Sequence, residues 1–211
     1  MMLDLASVAG ADVHDTPWRW SYLDKVWSSE EAARSLAEEF PRAGFTWFCQ
    51  REGPKRFRYW GRFLIEPDAT AVHDPHELSA GWLGFARELL SADYRAAVGK
   101  AIGADLSEAV MEATFWRYEP GCWFTGHTGS PARIVNQVFY FNPVWPPEWG
   151  GYLRVLNGAA DDDVAEELAP LLGRSALIVR SDGSWHAIPP VTMAAPGSRQ
   201  TVVVSFLRRD S

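Results

Sequence analysis

The sequence predicts an α+β fold, with helices from the first half supporting a two-sheet sandwich or jelly roll built by the second. Three observations carry this. Amphipathic segments with helix-start signals fill the chain up to about residue 102. After Asp105 the chain breaks into short β-branched or aromatic stretches bounded by Gly, Pro, Asn or Asp. Helices first and strands afterwards favour segregated layers over alternating βαβ units.

Residues 1–20 read as a loose lead-in with one short strand. Ser28 and Glu31 match a capping box ahead of EAARSLAEEF, a helix closed by Pro41. FTWFCQ reads as a strand, and KRFRYWGRFLI as a second one after a turn at Gly53 and Pro54. Its period of two puts Phe57, Tyr59 and Phe63 on one face and Arg56, Arg58 and Arg62 on the other. Residues 76–90 and 92–102 read as helices. Strands are expected at 113–119, 134–141, 152–156, 175–180, 186–188 and 201–207. The acidic stretch 159–167 reads as a solvated surface insertion. One domain spans 1–211: a supporting part at 1–112 and a β core at 113–207.

At 211 residues the chain can bury a core without staples. A net charge of −7 argues against a nucleic-acid polymer as partner. Cys49 and Cys122 are too few for a disulfide framework, so a reducing cytoplasm is the expected setting. No apolar run approaches the roughly 20 residues that span a bilayer, and MMLDLASVAGADVHD lacks the pattern of a signal peptide. Eleven Trp make an aromatic-lined pocket plausible, with Trp123, Phe124, Trp145, Trp149 and Trp185 as candidates for its wall or for core.

The stretch 118–151 concentrates the chemistry. His127 sits in a small-residue turn between two apolar segments, His186 follows the apolar run 175–180, and Arg199 opens RQTVVVSF. Imidazole ligates Fe, Zn, Cu and Ni, although a His beside a strand also serves as a hydrogen-bonded structural residue. On the last strand Arg199, Thr201 and Val203 share a face. Facing inward, Arg199 would be a buried cation in need of an anion, and a bound carboxylate suits its fork. Facing outward, it would be an ordinary strand start. Cys122 lies near His127, but no nucleophile elbow or oxyanion signature accompanies them.

Taken together, Tyr118-x-x-Gly121, His127, FYFN, PVWPPEWGGYLRVL, His186 with IPPV, and Arg199-x-Thr201 resemble the Fe(II)/2-oxoglutarate-dependent oxygenases, in particular their prolyl-4-hydroxylase-like branch. The resemblance covers about residues 113–207. It implies a double-stranded β-helix, a cupin-like jelly roll. His127 and His186 would bind Fe(II), Arg199 would hold the distal carboxylate of 2-oxoglutarate, and Thr201 and Tyr118 would assist there.

One position departs from that family. Its motif is His-x-Asp…His, whereas this chain reads His127-Thr128-Gly129. In this it looks like the non-haem iron halogenases, where Gly or Ala replaces the carboxylate. That likeness implies chloride in the vacated position and O2 consumed with 2-oxoglutarate. A chloro-iron(IV)-oxo would then lead to chlorination of an unactivated aliphatic C–H. A hydroxylase using water or a relocated carboxylate, Glu148 or Asp182, is the second explanation, and a degenerate or engineered site the third. A cupin-like protein that binds a carboxylate without turning it over is the rival outside enzymes.

Gly129 is thus the residue expected to set the chemistry. Among Arg133, Asn136 and Gln137, polar residues in an apolar strand, Asn136 is the candidate to orient iron-bound groups or a halide. Asn136 and Gln137 alternate in direction, so at most one faces the iron. The substrate is expected to be a small metabolite, anionic or nucleotide-like. Arg56, Arg58 and Trp60 in the basic ribbon 51–62 are the candidate contacts. That ribbon would equally suit docking of an acidic carrier protein bearing the substrate, or a strand face protected by charge.

Overall fold

The computed structural model describes residues 1–67 and 70–209. Among the described residues four helices, α1 (Leu5–Ala9), α2 (Glu30–Glu38), α3 (Ala80–Leu89) and α4 (Ala92–Ile102), accompany eleven strands. The strands are β1 (Trp20–Leu23), β2 (Thr46–Gln50), β3 (Phe57–Ile65), β4 (Val110–Tyr118), β5 (Trp123–His127) and β6 (Arg133–Tyr140). They continue as β7 (Leu153–Leu156), β8 (Val164–Leu168), β9 (Ser175–Val179), β10 (His186–Ile188) and β11 (Arg199–Leu207).

Hydrogen-bonded neighbours run β1-β9-β6-β11-β4-β3-β5-β10-β7-β8, with β2 added outside β3. The path folds into two layers. One is β1-β9-β6-β11-β4-β3, the other β5-β10-β7-β8, and β3 pairs with β5 at the corner. This is a jelly roll, the double-stranded β-helix that the sequence predicts. The joining pairs are all antiparallel.

Strand alternation separates two cores. Phe115, Phe139, Leu177, Val202, Val204 and Phe206 face outward from the larger layer. They bury against Trp82, Phe85, Leu89, Tyr94 and Val98 of α3 and α4. Tyr118, Val138, Tyr140, Ala176, Ile178 and Val203 face inward and close the barrel with Phe124, Leu153, Val155 and Ile188. The inward set also carries the polar side chains of the site.

Helix starts follow their caps: Ser29, Ser79 and Ser91 each accept a backbone N–H three residues on. The expected capping box of Ser28 and Glu31 does not form: Ser29 is the N-cap, with Ala32 three residues on, and Ser28 instead donates to the carbonyls of Met1 and Met2. The expected helix at 76–90 starts later, at Ala80, after a short 3-10 turn at Pro75–Glu77. The lead-in is more ordered than expected: α1 is capped by Asp4, and β1 joins the edge of the larger layer beside β9.

The acidic stretch corrects a second expectation. Residues Val164–Leu168 form β8 against β7, with Arg154 Nε bonded to Glu167 at 2.7 Å. Asp161 reaches across to accept the N–H of Gly126 at 2.5 Å. The segment is an edge strand and a clasp, which no local pattern reveals because its partners lie far along the chain. Cys49 is exposed and Cys122 buried, both free. Among the described residues no helix is long and apolar enough to cross a membrane.

Candidate metal and cosubstrate site

His127 ends β5 and His186 opens β10, and the two are direct cross-strand partners. Their ring centroids lie 4.3 Å apart. Simple alternation would turn His127 to the outer face with Trp123 and Thr125. The register shows why it does not: His186 opposes His127 while Ile188 opposes Phe124, so β5 spends three residues where β10 spends two. This bulge turns His127 inward beside Phe124. Gly126 sits inside it, and a Cβ there would stand 2.7 Å from Asp161 Oδ1 and 3.3 Å from the carbonyl of Ala159. Only glycine admits the Asp161 clasp.

Both imidazoles are held in one tautomer. His127 Nδ1 meets the carbonyl of Thr125 at 2.9 Å, and His186 Nδ1 meets that of Ser184 at 2.8 Å. A carbonyl can only accept, so each Nδ1 carries the proton and each Nε2 keeps a lone pair for a metal. Phe124 stacks on His127 at 4.0 Å and steadies the ring. Burial is the main force keeping both rings neutral. It takes His127 well below the ordinary value, with His186, Lys55 and Arg133 adding repulsion. It takes His186 down to about 4, with Arg133 and Lys55 again contributing.

The sign of the resulting pH dependence follows. Unfolded His186 protonates near 6.5 and folded His186 near 4, so the unfolded state takes the proton first. Stability from this residue is intact above about pH 6.5 and is lost as pH falls toward 4. In metal-free protein the loss from His186 is expected to be about 2 kcal/mol between pH 7.5 and 5. Urea unfolding of wild type and His186→Gln at both values measures it as the difference between the two slopes against pH. Equal slopes would contradict it.

Opposite the histidines stands Arg199, 1% exposed. Its guanidinium carbon lies 5.2 Å from the Tyr118 ring centre and 5.4 Å from that of Tyr140. Arg199 Nε and the Tyr118 hydroxyl are buried without a hydrogen-bond partner. Burial pushes both tyrosines up, so they remain protonated donors, and lowers Arg199, which nonetheless stays a cation. Thr201 follows on the same face of β11, completely buried. An orphaned guanidinium with hydroxyls around it fits the carboxylate of 2-oxoglutarate. The inward alternative for Arg199 is therefore the one observed. Tyr140 escaped the sequence reading because its pairing with Arg199 arises across β6 and β11.

The third side belongs to Gly129 and Arg133. Gly129 has φ +83, and a Cβ there would meet only Arg133 Cδ at 3.9 Å. Arg133 Nε is buried without a hydrogen-bond partner, while its Nη2 reaches Glu112 at 3.5 Å. His127, His186, Arg133, Asn136, Arg199 and Thr201 line one pocket. Asn136 faces it with an unpartnered Oδ1, whereas Gln137 points outward to Tyr94 and Ser175.

Among the described residues no cluster of three His, Cys, Asp or Glu could enclose a metal. Glu148 is exposed on a 3-10 turn, and the fully exposed Asp182 pairs with Arg180 at 2.7 Å. Neither is a relocated ligand. The basic ribbon is also placed differently from expectation. Arg56 lies in an outer groove with Trp123 and Arg154, and Arg58 covers Trp47 at 5.6 Å. Trp60 donates to Glu119 at 3.1 Å. Of the aromatic candidates, Phe124 lines the pocket, and Trp145 packs on Trp149 at 5.3 Å.

Comparison with known proteins agrees with this geometry. The sequence model of the 2OG-Fe(II) oxygenase superfamily matches residues 113–208. Among solved structures, a Pseudomonas putida prolyl-4-hydroxylase is similar at 21% identity and TM-score 0.62, covering 97% of each chain. A Trichoplax adhaerens prolyl hydroxylase in complex with a hypoxia inducible factor oxygen degradation domain peptide fragment is similar at 14% identity and TM-score 0.56, covering 89% of this chain and 83% of its own. HygX from Streptomyces hygroscopicus, with nickel and 2-oxoglutarate bound, is similar at 13% and TM-score 0.53, covering 90% and 83%. No curated protein matches. With the matched residues carrying every strand of the site, the chain has the fold of the prolyl-4-hydroxylases, and its second half is similar to the 2OG-Fe(II) oxygenase superfamily.

Proposed function

We propose that this oxygenase is a halogenase, placing chloride on an unactivated aliphatic C–H of a small metabolite. The observation that carries the reading is the inversion of charge at Gly129. Where the family motif has a carboxylate, this chain leaves open space, and the nearest side chain there is Arg133, whose Cδ stands 3.9 Å from where a Cβ would be and whose Nε is buried without a partner. A protein carboxylate is replaced by a donor for an anion from solution.

Bound iron, with 2-oxoglutarate and dioxygen, supplies the oxidant that takes hydrogen from the substrate. The protein's own groups do the rest. His127 and His186 present two neutral nitrogens in fixed tautomers, and Arg199 with Tyr118 and Thr201 anchors the cosubstrate carboxylate. Arg133 holds the halide, kept in place by Glu112. Asn136 offers a polar contact in an otherwise apolar wall, where excluded water strengthens each of these interactions.

Hydroxylation through the same site is the second reading, favoured by the similar structures named as prolyl hydroxylases. The two separate by mass spectrometry of products formed from a metabolite panel with Fe(II), 2-oxoglutarate and either chloride or bromide. Halogenated product that follows the halide supplied supports the proposal. Crystals grown with bromide should also show anomalous scattering between Gly129 and Arg133. Hydroxylated product regardless of halide, with water in that position under saturating bromide, would overturn it.

A further inference from the structure

We infer that Lys55 anchors an acidic group of the substrate, a carboxylate or a phosphate, at the mouth beside His127. The inference deepens the oxygenase reading, which it needs only to call the ligand a substrate. Lys55 lies in the 51–56 connection between β2 and β3, close enough to His127 and His186 to disfavour their protonated forms. Its ammonium sits 5.3 Å from the centre of the Phe124 ring, and that ring stacks on His127. The same ring thus contacts both the ammonium and the metal-facing imidazole.

Apart from Arg199, assigned above to the cosubstrate, and Arg58, which lies over Trp47, several cations around the site that lose water have an acid. Arg133 has Glu112, Arg62 has Glu77 at 2.9 Å, Arg117 has Glu119 at 3.1 Å and Arg154 has Glu167. Lys55 makes no ion pair among the described residues, although it is half-buried and feels repulsion from Arg133. In a chain carrying seven more acidic than basic residues, that is an uncompensated charge. Desolvating an ammonium without an anion costs free energy that a ligand's acidic group would return. The face of Phe124 alone compensates weakly. Arg56 and Arg58, turned to the outer groove and to Trp47, do not share this position.

Calorimetry on protein loaded with Fe(II) and 2-oxoglutarate without oxygen tests the inference. Inorganic phosphate and acetate serve as the two probes, each with and without saturating bromide. At least one anion is expected to bind wild type. Lys55→Met should weaken it at least about tenfold and Lys55→Arg should retain it within about threefold. Bromide should leave the affinity unchanged. Whichever probe binds tells carboxylate from phosphate. The inference is overturned if neither anion binds, if Lys55→Met binds like wild type, or if bromide displaces the anion. Anion binding that persists in a protein to which bromide does not bind would remove the halide reading and leave Lys55 as the anchor.

Discussion

Arg199→Met is expected to raise the dissociation constant for 2-oxoglutarate at least about 30-fold while leaving the ligand-free protein as stable as wild type or more so. The two halves have one cause. Arg199 is a fully buried cation whose nearest company is two tyrosine rings and whose Nε has no hydrogen-bond partner. Without a ligand its desolvation is uncompensated, so an apolar side chain of similar length removes a cost. With a ligand, the same guanidinium forms a desolvated, two-pronged contact, and losing such a contact typically costs about 2–5 kcal/mol. Arg199→Lys keeps the charge but loses the fork, so intermediate affinity is expected. Equilibrium binding of 2-oxoglutarate and thermal melts without it measure the two effects separately. A variant that melts well below wild type yet still binds 2-oxoglutarate tightly would mean that Arg199 is a structural residue.

Gly129→Asp should abolish halogenation, and it should not behave as a clean restoration of the family motif. Its backbone at φ +83 is a conformation that L residues adopt at a cost of about 1–2 kcal/mol. A melting point lower by roughly 2–8 °C is expected for a chain of this size. The new carboxylate would also fall beside Arg133 and compete with Glu112 for it. Gly129→Ala isolates the two effects: its Cβ has 3.9 Å of clearance, so the anion position stays open while the backbone strain is the same. Both variants should lose similar stability, with halide incorporation retained in Ala and absent in Asp. Halogenated product from Gly129→Asp would be incompatible with an exogenous anion at this position.

The readable parts of this chain were those whose signal is local. Alternation in RQTVVVSF put Arg199, Thr201 and Val203 on one face, and β11 holds them so, between β4 and β6. Helix α4 begins and ends where its periodicity places it. The order of His127, His186 and Arg199 announced the site, because each ends or begins a strand. What stayed hidden depends on pairs distant in sequence. Tyr140 meets Arg199 only through the pairing of β6 with β11. The stretch 159–167 looked like solvated loop because acidic composition reports exposure, whereas a strand edge and a clasp are exposed as well.

The extra residue in β5 gives the barrel an asymmetric vulnerability. Whether His127 looks into the cavity or out to solvent is decided by a count of three against two, and that count is guarded by one acidic side chain 35 positions away. A methyl group at 126 would strike this guard, so the strand could relax to regular pairing and keep its hydrogen bonds. Gly126→Ala is therefore expected to melt and bind 2-oxoglutarate like wild type while losing metal affinity, which calorimetry with each ligand measures. Damage to chemistry and damage to folding are thus uncoupled at Gly126, and a screen for stability alone would pass it as healthy.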